Sequence, residues 1–188
     1  SRMLHGKPKL MDLLPVTHNN NILLLAGGTG DLLDYFTYKD LIKIKNIDNI
    51  DYCKYLLNIC QNKFNDFKNI NCIHKNVLEM DYENKYDLII ITYSLTMINK
   101  WEEIIDKCIL ALKDNGTIAI CDFTIENNNF YNRLRKYLFS LDQVYLDDKH
   151  TSLLSNKLNC IYEKIDYGSF PFIPFYRCGY FCGLYKKK

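Results

Sequence analysis

The chain has 188 residues, 48% of them hydrophobic, which is about the size of one domain with a single core. Its net charge of +2 gives no field that would favour a nucleic acid partner. The longest apolar runs, residues 22–28 and 88–91, are far shorter than the roughly 18–20 residues that cross a bilayer, and no secretory apolar region occurs at the start. We therefore expect a cytoplasmic protein that at most touches a membrane surface.

Eight cysteines are present, but none forms a Cys-x-x-Cys pair, and most lie within apolar, periodic segments. This pattern favours buried, reduced thiols over disulfides or a metal centre. We expect no metal site.

Strand-like and helix-like segments alternate along most of the chain. Strand patterns occur at residues 22–25, 43–50, 70–74, 86–93 and 117–123, and helical patterns at residues 31–36, 52–64 and 101–112. Such alternation predicts an α/β fold with a doubly wound, mostly parallel sheet.

The last third has a different pattern. Residues 130–139 have the spacing of an amphipathic helix, and two strand-like runs follow at residues 160–167 and 180–186. An aromatic and proline-rich connection, residues 170–177, joins these runs. We expect them to form a C-terminal antiparallel hairpin at one edge of the sheet.

A glycine-rich turn follows the first predicted strand. Gly27, Gly28 and Gly30 would let the backbone approach a ligand closely, although an ordinary strand-to-helix turn has the same pattern. Asp51 follows the second strand, where a carboxylate can accept both ribose hydroxyls of an adenosine ligand. Asp48 is the competing acid, and either could instead cap a helix. We prefer Asp51 because helical spacing begins directly after it.

Four successive segments, residues 23–31, 49–60, 86–101 and 110–123, resemble the motifs of class I S-adenosylmethionine-dependent methyltransferases. The resemblance covers nearly the whole chain and implies a Rossmann-like fold, S-adenosyl-L-methionine as methyl donor and S-adenosyl-L-homocysteine as product. It implies a cofactor-lid segment at residues 1–20, which we expect to be truncated, and a methyltransferase domain at residues 21–188. The cofactor-binding residues that we expect are Ala26, Gly27, Gly28, Gly30, Asp51, Tyr52, Asn76, Val77 and Thr92. Asn76 could read an adenine edge or simply lie in a loop.

Within that superfamily, the run at residues 92–101 and the pair Asp122-Phe123 resemble the methyltransferase component of bacterial betaine-lipid synthesis. The tail is similar too, at residues 139–146, at His150 and at Arg177. This resemblance implies N-methylation of diacylglyceryl-homoserine, which a partner enzyme would supply. The alternatives are a small-molecule or quinone-precursor methyltransferase, and a catalytically weak cofactor-binding subunit.

Three residues are the catalytic candidates for such a reaction. Tyr93, at the end of the fourth strand, could orient the acceptor amine, His150 could take its proton, and Arg177 could pair with the homoserine carboxylate. Each could equally serve packing or a structural contact.

Aromatic faces stabilise a methylated ammonium, and Trp101, Tyr93 and two tail residues, Tyr176 and Tyr180, are candidates. Residues 170–176 with the basic residues 186–188 could form a membrane-facing patch, or pack as an ordinary hairpin with a solvated tail.

Two residues depart from the pattern of the family. Leu24 occupies a position that normally carries an acid, which helps to hold the cofactor's amino group, and Ala26 occupies a glycine position. Asp31 or Asp34 could substitute for the missing acid. The turn Ala-Gly-Gly-Thr-Gly-Asp is itself typical of quinone-biosynthesis methyltransferases, so Ala26 is tolerable there.

Overall fold

The computed structural model describes residues 6–17, 19–125, 130–170 and 173–188, with the backbone alone at residues 131, 169–170 and 173–177. The strands are β1 (Asn21–Leu25), β2 (Asn46–Asp51), β3 (Ile70–His74), β4 (Tyr86–Thr92), β5 (Leu112–Thr124), β6 (Asn159–Phe170) and β7 (Ile173–Lys186). The helices are α1 (Gly6–Leu13), α2 (Tyr38–Leu41), α3 (Lys54–Lys63), α4 (Trp101–Ala111), α5 (Phe130–Leu141) and α6 (His150–Lys157). Short 3₁₀ turns occur at Asp31–Tyr35, Val77–Glu79 and Leu95–Met97.

The strands form one seven-stranded sheet in the order β3-β2-β1-β4-β5-β7-β6. Strands β1 to β5 are parallel, and β7 runs antiparallel to both of its neighbours. The strand order reverses between β1 and β4, and ligands bind at the carboxyl edge of such a switch point in open α/β sheets. The predicted fold class, a mostly parallel sheet with an antiparallel C-terminal hairpin, is confirmed.

Two apolar cores cover the two faces of the sheet. On the face that we call the α4 face, Ile91, Ile105 and Phe181 belong to one buried cluster. On the opposite face, the α1 face, Leu10 packs with Leu24 in a second cluster. All eight cysteines are free, as the sequence predicted, and most are buried within these layers. None of the described helices is long and apolar enough to span a bilayer.

The structure differs from the prediction in three places. Residues 173–177 and 168–170 are strand rather than connection, because β6 and β7 pair almost to their turn, with Ser169 opposite Arg177. Helices α1 and α6 were missed, since each has only eight residues and a weak apolar stripe. The segment predicted as a helix at residues 31–36 is a 3₁₀ turn.

Candidate active site

The glycine turn and Asp51 meet at the carboxyl ends of β1 and β2. The Gly28 N–H donates to Asp51 Oδ2 at 2.8 Å, and the Cys53 N–H donates to Asp51 Oδ1 at 2.7 Å. Each carboxylate oxygen keeps a further lone pair, so the two oxygens together can accept from a pair of vicinal hydroxyls. This donor and acceptor set fits the ribose of an adenosine ligand.

The competing acid, Asp48, lies inside the sheet on the α4 face and is only 3% exposed. Its carboxylate accepts from Lys85 Nζ and Tyr86 OH, each at 2.8 Å. Two asparagine amides, from Asn46 and Asn71, donate to it at 2.9 Å. These hydrogen bonds lower the pKa of Asp48 against the opposing effect of burial. With four donors around it, Asp48 has a structural role, and Asp51 is the acid at the strand ends.

Two residues other than glycine adopt a left-handed backbone conformation at this edge. Ala26 has φ of 49° after β1, and Tyr93 has φ of 52° after β4. Such a conformation costs an ordinary residue roughly 1–2 kcal/mol, and strain of this kind concentrates at functional sites. The backbone at Ala26 explains why glycine is the usual residue there.

The remaining predicted cofactor residues lie around the same edge. Asn76 Oδ1 accepts from the Leu78 N–H at 3.0 Å, so Asn76 caps a 3₁₀ turn while its amide nitrogen stays available. Val77 is buried in the α4-face core, Thr92 ends β4, and Tyr52 is exposed beside the His74 ring. The structure thus brings the strand-end residues together at one edge of the sheet.

A family model described as a methyltransferase domain matches residues 23–120, more than half of the chain. The chain therefore belongs to the methyltransferase-domain family. Its fold is that of the class I S-adenosylmethionine-dependent methyltransferases. A comparison with curated proteins gives no match.

Solved structures of low identity share this fold over nearly their full length. BH2331 of Bacillus halodurans aligns with a TM-score of 0.83 at 11% identity, covering 97% of this chain and 99% of that protein. The N-methyltransferase NodS of Bradyrhizobium japonicum, solved with S-adenosyl-L-homocysteine, gives 0.73 at 11% identity, covering 97% and 86%. A SAM-dependent methyltransferase of Methanosarcina mazei gives 0.71 at 13% identity, covering 96% and 97%.

In this methyltransferase, the family's acidic position is filled by Leu24, which is 2% exposed in the α1-face core. Its neighbour in register on β2 is Asn49, a buried polar residue that the sequence analysis missed. Asn49 Nδ2 donates to the Gly28 carbonyl at 3.0 Å, while its Oδ1 has no partner among the described residues. Asn49 therefore supports the glycine turn from below. Because Asn49 lies within a strand pattern, the sequence gives no signal that it supports the glycine turn.

The two acids considered as substitutes for the missing carboxylate are already engaged. Asp34 forms an ion pair with Lys63 on α3. Asp31 accepts from the Thr29 hydroxyl, and this hydrogen bond, aided by Lys7 and Lys63, lowers the pKa of Asp31. Both acids therefore already have partners within the protein.

Helix α1 lies over the carboxyl edge on the α1 face. The Gly6 N–H donates to Tyr93 OH at 3.1 Å, and the Cys182 thiol donates to the Gly6 carbonyl at 3.5 Å. A side chain at Gly6 would overlap Cys121 Sγ, since its Cβ would lie 2.0 Å away. Glycine thus permits the close approach of α1. The lid role of residues 1–20 stays a prediction, and His5 lies outside the described residues.

Asp122 is a second functional residue whose role the sequence did not reveal. It is completely buried, and its Oδ2 accepts from the backbone N–H groups of Ser94, Leu95 and Thr96 at 2.7–3.3 Å. Its Oδ1 accepts from the Thr96 hydroxyl and the Phe123 N–H. Burial raises the pKa of Asp122, while these hydrogen bonds oppose the shift. Asp122 fixes the loop that follows β4 and Tyr93.

His150 and Tyr93, two of the predicted catalytic residues, lie on opposite faces of the sheet. The His150 ring is 1% exposed on the α4 face, 4.4 Å from the Trp101 ring, and neither nitrogen has a described hydrogen-bond partner. Burial lowers the pKa of His150, against the pull of Asp122 and Asp147. The ring is thus kept neutral. The third candidate, Arg177, lies in β7, but its side chain is outside the described part of the chain.

An aromatic row starts at the strand ends on the side of β4 and β5. The Tyr93 ring lies 4.8 Å from Phe123, and Phe123 lies 5.5 Å from Phe139 of α5. Burial raises the pKa of Tyr93, so its hydroxyl stays protonated. Tyr180 is buried under α1 beside Gly6, whereas the side chain of Tyr176 is not described.

The predicted patch of residues 170–176 with residues 186–188 is not one surface. Strand β7 begins at Ile173, while Lys186 pairs with Thr117 near the opposite end of the sheet. At about 3.3 Å per residue, the two ends of this strand lie roughly 40 Å apart. The prediction of a continuous aromatic and basic patch is wrong for that reason.

Proposed function

We propose that this methyltransferase N-methylates the amino group of a lipid-linked amino acid, diacylglyceryl-homoserine, with S-adenosyl-L-methionine as donor. The observation that carries the acceptor class is the row formed by Tyr93, Phe123 and Phe139 beside the strand ends. An amine that gains methyl groups becomes a permanent cation, and each aromatic face stabilises such a charge by roughly 0.5–2 kcal/mol. The similarity of residues 92–101 and of the tail to betaine-lipid methyltransferases supports the same acceptor.

In this proposal the donor lies across the carboxyl ends of β1 and β2. Asp51 would accept the ribose hydroxyls, and the turn at Gly28 and Gly30 would allow the backbone to approach. When bound, the donor supplies an electrophilic methyl group on a sulfonium. The chain's own contribution is alignment and exclusion of water, because an in-line methyl transfer needs no covalent nucleophile.

On the acceptor side, Tyr93 would orient the neutral amine through its ring, since its hydroxyl already accepts from the Gly6 N–H. Arg177 remains the proposed partner of the homoserine carboxylate. The proposal routes no proton through His150, because its ring is enclosed on the other face of the sheet. The amine would therefore lose its proton to water before transfer.

The test is methylation of diacylglyceryl-homoserine in detergent micelles by the purified protein, followed by mass spectrometry of the lipid. We expect mono-, di- and trimethylated products. Binding of S-adenosyl-L-homocysteine without any lipid product, together with turnover of a quinone precursor or a soluble amine, would assign a different acceptor. Binding of S-adenosyl-L-homocysteine without turnover of any of these acceptors would instead indicate a catalytically weak cofactor-binding subunit.

Two variants at Tyr93 separate the ring from the hydroxyl. Tyr93→Ala should slow methylation about tenfold or more, through lost alignment and lost stabilisation of the cation. Tyr93→Phe keeps the ring and should retain most of the rate. Equal rates for wild type and Tyr93→Ala would remove the aromatic row from the proposal.

A further inference from the structure

Helix α5 turns its apolar side toward solvent. Its exposed apolar residues are between 46% and 76% exposed and are Phe130, Leu134, Tyr137, Leu138 and Leu141. At 100° per residue they span one narrow face of the helix, which we call the α5 stripe. A helix that served only the core would present this stripe to the sheet.

The opposite side of α5, which faces the protein, is more polar. Asn132 is buried there, and Arg135 donates to Asn132 Oδ1 at 3.3 Å. Phe139 is the aromatic anchor on that side, through its contact with Phe123. The polarity of this helix is thus the reverse of that expected for a helix on a globular surface, which indicates a partner for the α5 stripe.

The charge of α5 identifies the chemistry of that partner. The helix carries Arg133, Arg135 and Lys136 and contains no acidic residue, and the first carboxylate, Asp142, comes after its end. An apolar stripe flanked by basic residues is the pattern of helices that lie in the interface of anionic membranes.

We propose that the α5 stripe docks on an anionic phospholipid surface. The axis of the helix would lie parallel to the membrane, with Leu134, Leu138 and Leu141 among the acyl chains. Phe139, on the other side of α5, leads through Phe123 to Tyr93 at the strand ends. A helix with its side chains is about 10–12 Å across, so the row that leads from Phe139 to Tyr93 would begin about one helix diameter from the lipid surface. This inference deepens the proposed lipid acceptor and rests on it for its purpose, but docking itself requires neither acceptor nor cofactor.

The experiment is cosedimentation of the whole protein with vesicles that contain no amino-acid lipid and no cofactor. We compare phosphatidylcholine vesicles with vesicles that also contain phosphatidylglycerol. Wild type should bind the anionic vesicles and bind phosphatidylcholine at least about tenfold more weakly, since about 1 kcal/mol is expected for each basic residue near the surface. Equal binding to both, or binding to neither, would overturn the proposal.

Two variants and a matched control locate the surface. The double variant Leu138→Glu with Leu141→Glu should lose at least about tenfold in anionic-vesicle affinity. Leu110→Glu, at a residue on α4 that is 60% exposed, should bind as wild type does. Arg133→Gln tests charge without altering the stripe and should weaken anionic binding alone. Unchanged binding by the double variant would contradict the inference.

Two further measurements on the same samples keep the outcomes distinct. Sedimentation velocity would contradict lipid docking if wild type were a dimer that the double variant dissolved, with no vesicle binding by either. Titration with S-adenosyl-L-homocysteine reports on the donor site. For wild type, cofactor binding without vesicle binding would reject the docking surface alone, whereas vesicle binding without cofactor binding would reject the proposed donor site alone.

Discussion

The proposed donor end and the proposed acceptor end of the sheet are built in different ways. At the donor end, the glycine turn and Asp51 come from one strand–turn–helix unit and the strand that follows it, and backbone N–H groups hold the acid. At the acceptor end, α1, β4, β5 and α5 contribute groups from distant parts of the chain, and buried Asp122 fixes the loop between them. Because the donor site consists of backbone groups and one acid, it tolerates large changes in sequence. The acceptor site consists of groups from several distant elements, so it can differ between members of one fold.

The largest effect that we expect concerns the buried acid at the acceptor end. Asp122→Ala leaves four backbone N–H groups and a hydroxyl without their acceptor, so the free energy of unfolding should fall by at least about 3 kcal/mol. Chemical denaturation measures this change. Asp114→Ala, at an exposed acid, is the control and should leave stability unchanged. Equal stability of the two variants would show that the loop after β4 does not depend on Asp122.

A pair of acids separates binding from stability at the donor end. Asp51→Ala should weaken S-adenosyl-L-homocysteine by about ten- to a hundredfold, equivalent to roughly 1.5–3 kcal/mol, as measured by calorimetric titration. Asp48→Ala should lower the melting temperature but leave that affinity unchanged, because Asp48 is enclosed by its four donors. The reverse result would show that Asp48 is the ribose acid.

Backbone strain after β1 gives a smaller effect. Ala26→Gly removes the cost of the left-handed conformation and should raise the free energy of unfolding by up to about 1 kcal/mol. Ala26→Val, with a branched side chain at the same φ, should lower it. Stabilisation by valine instead would mean that the turn is not held in this conformation in solution.

The smallest effect is the pH dependence due to His150. Because burial lowers its pKa from 6.5, the unfolded chain binds more protons than the folded protein just below that pH. Stability should therefore be lost as the pH falls from 6.5 toward the folded pKa. His150→Phe should lose less stability than wild type between neutral and mildly acidic pH in denaturant titrations. Parallel curves for wild type and His150→Phe would mean that the ring is not buried as described.

The sequence predicted the fold at the carboxyl ends of β1 and β2 well, because its signals are local. The alternation of strands and helices fixed the parallel sheet, and helical spacing after Asp51 separated it from Asp48. The pattern around β2 could not reveal Asn49, since its role depends on a contact with the turn after β1.

The acceptor end was less predictable because its contacts are long-range. Asp122 accepts hydrogen bonds from the backbone only when residues 94–96 fold over it, and no spacing in the sequence predicts that contact. The stripe on α5 was visible as an amphipathic pattern, but only the structure shows that its apolar side faces outward.

The position of S-adenosyl-L-homocysteine in a crystal structure of the complex tests the central claim most directly. The account predicts that the ribose hydroxyls lie within hydrogen-bond distance of Asp51, with the glycine turn beneath the ligand and the sulfur directed toward Tyr93. A different pocket of about 230 Å³ lies between α1 and α2, lined by Met11, Leu14, Phe36 and Ile44. Density for the ligand in that pocket, with Asp51 and the glycine turn uncontacted, would contradict the account.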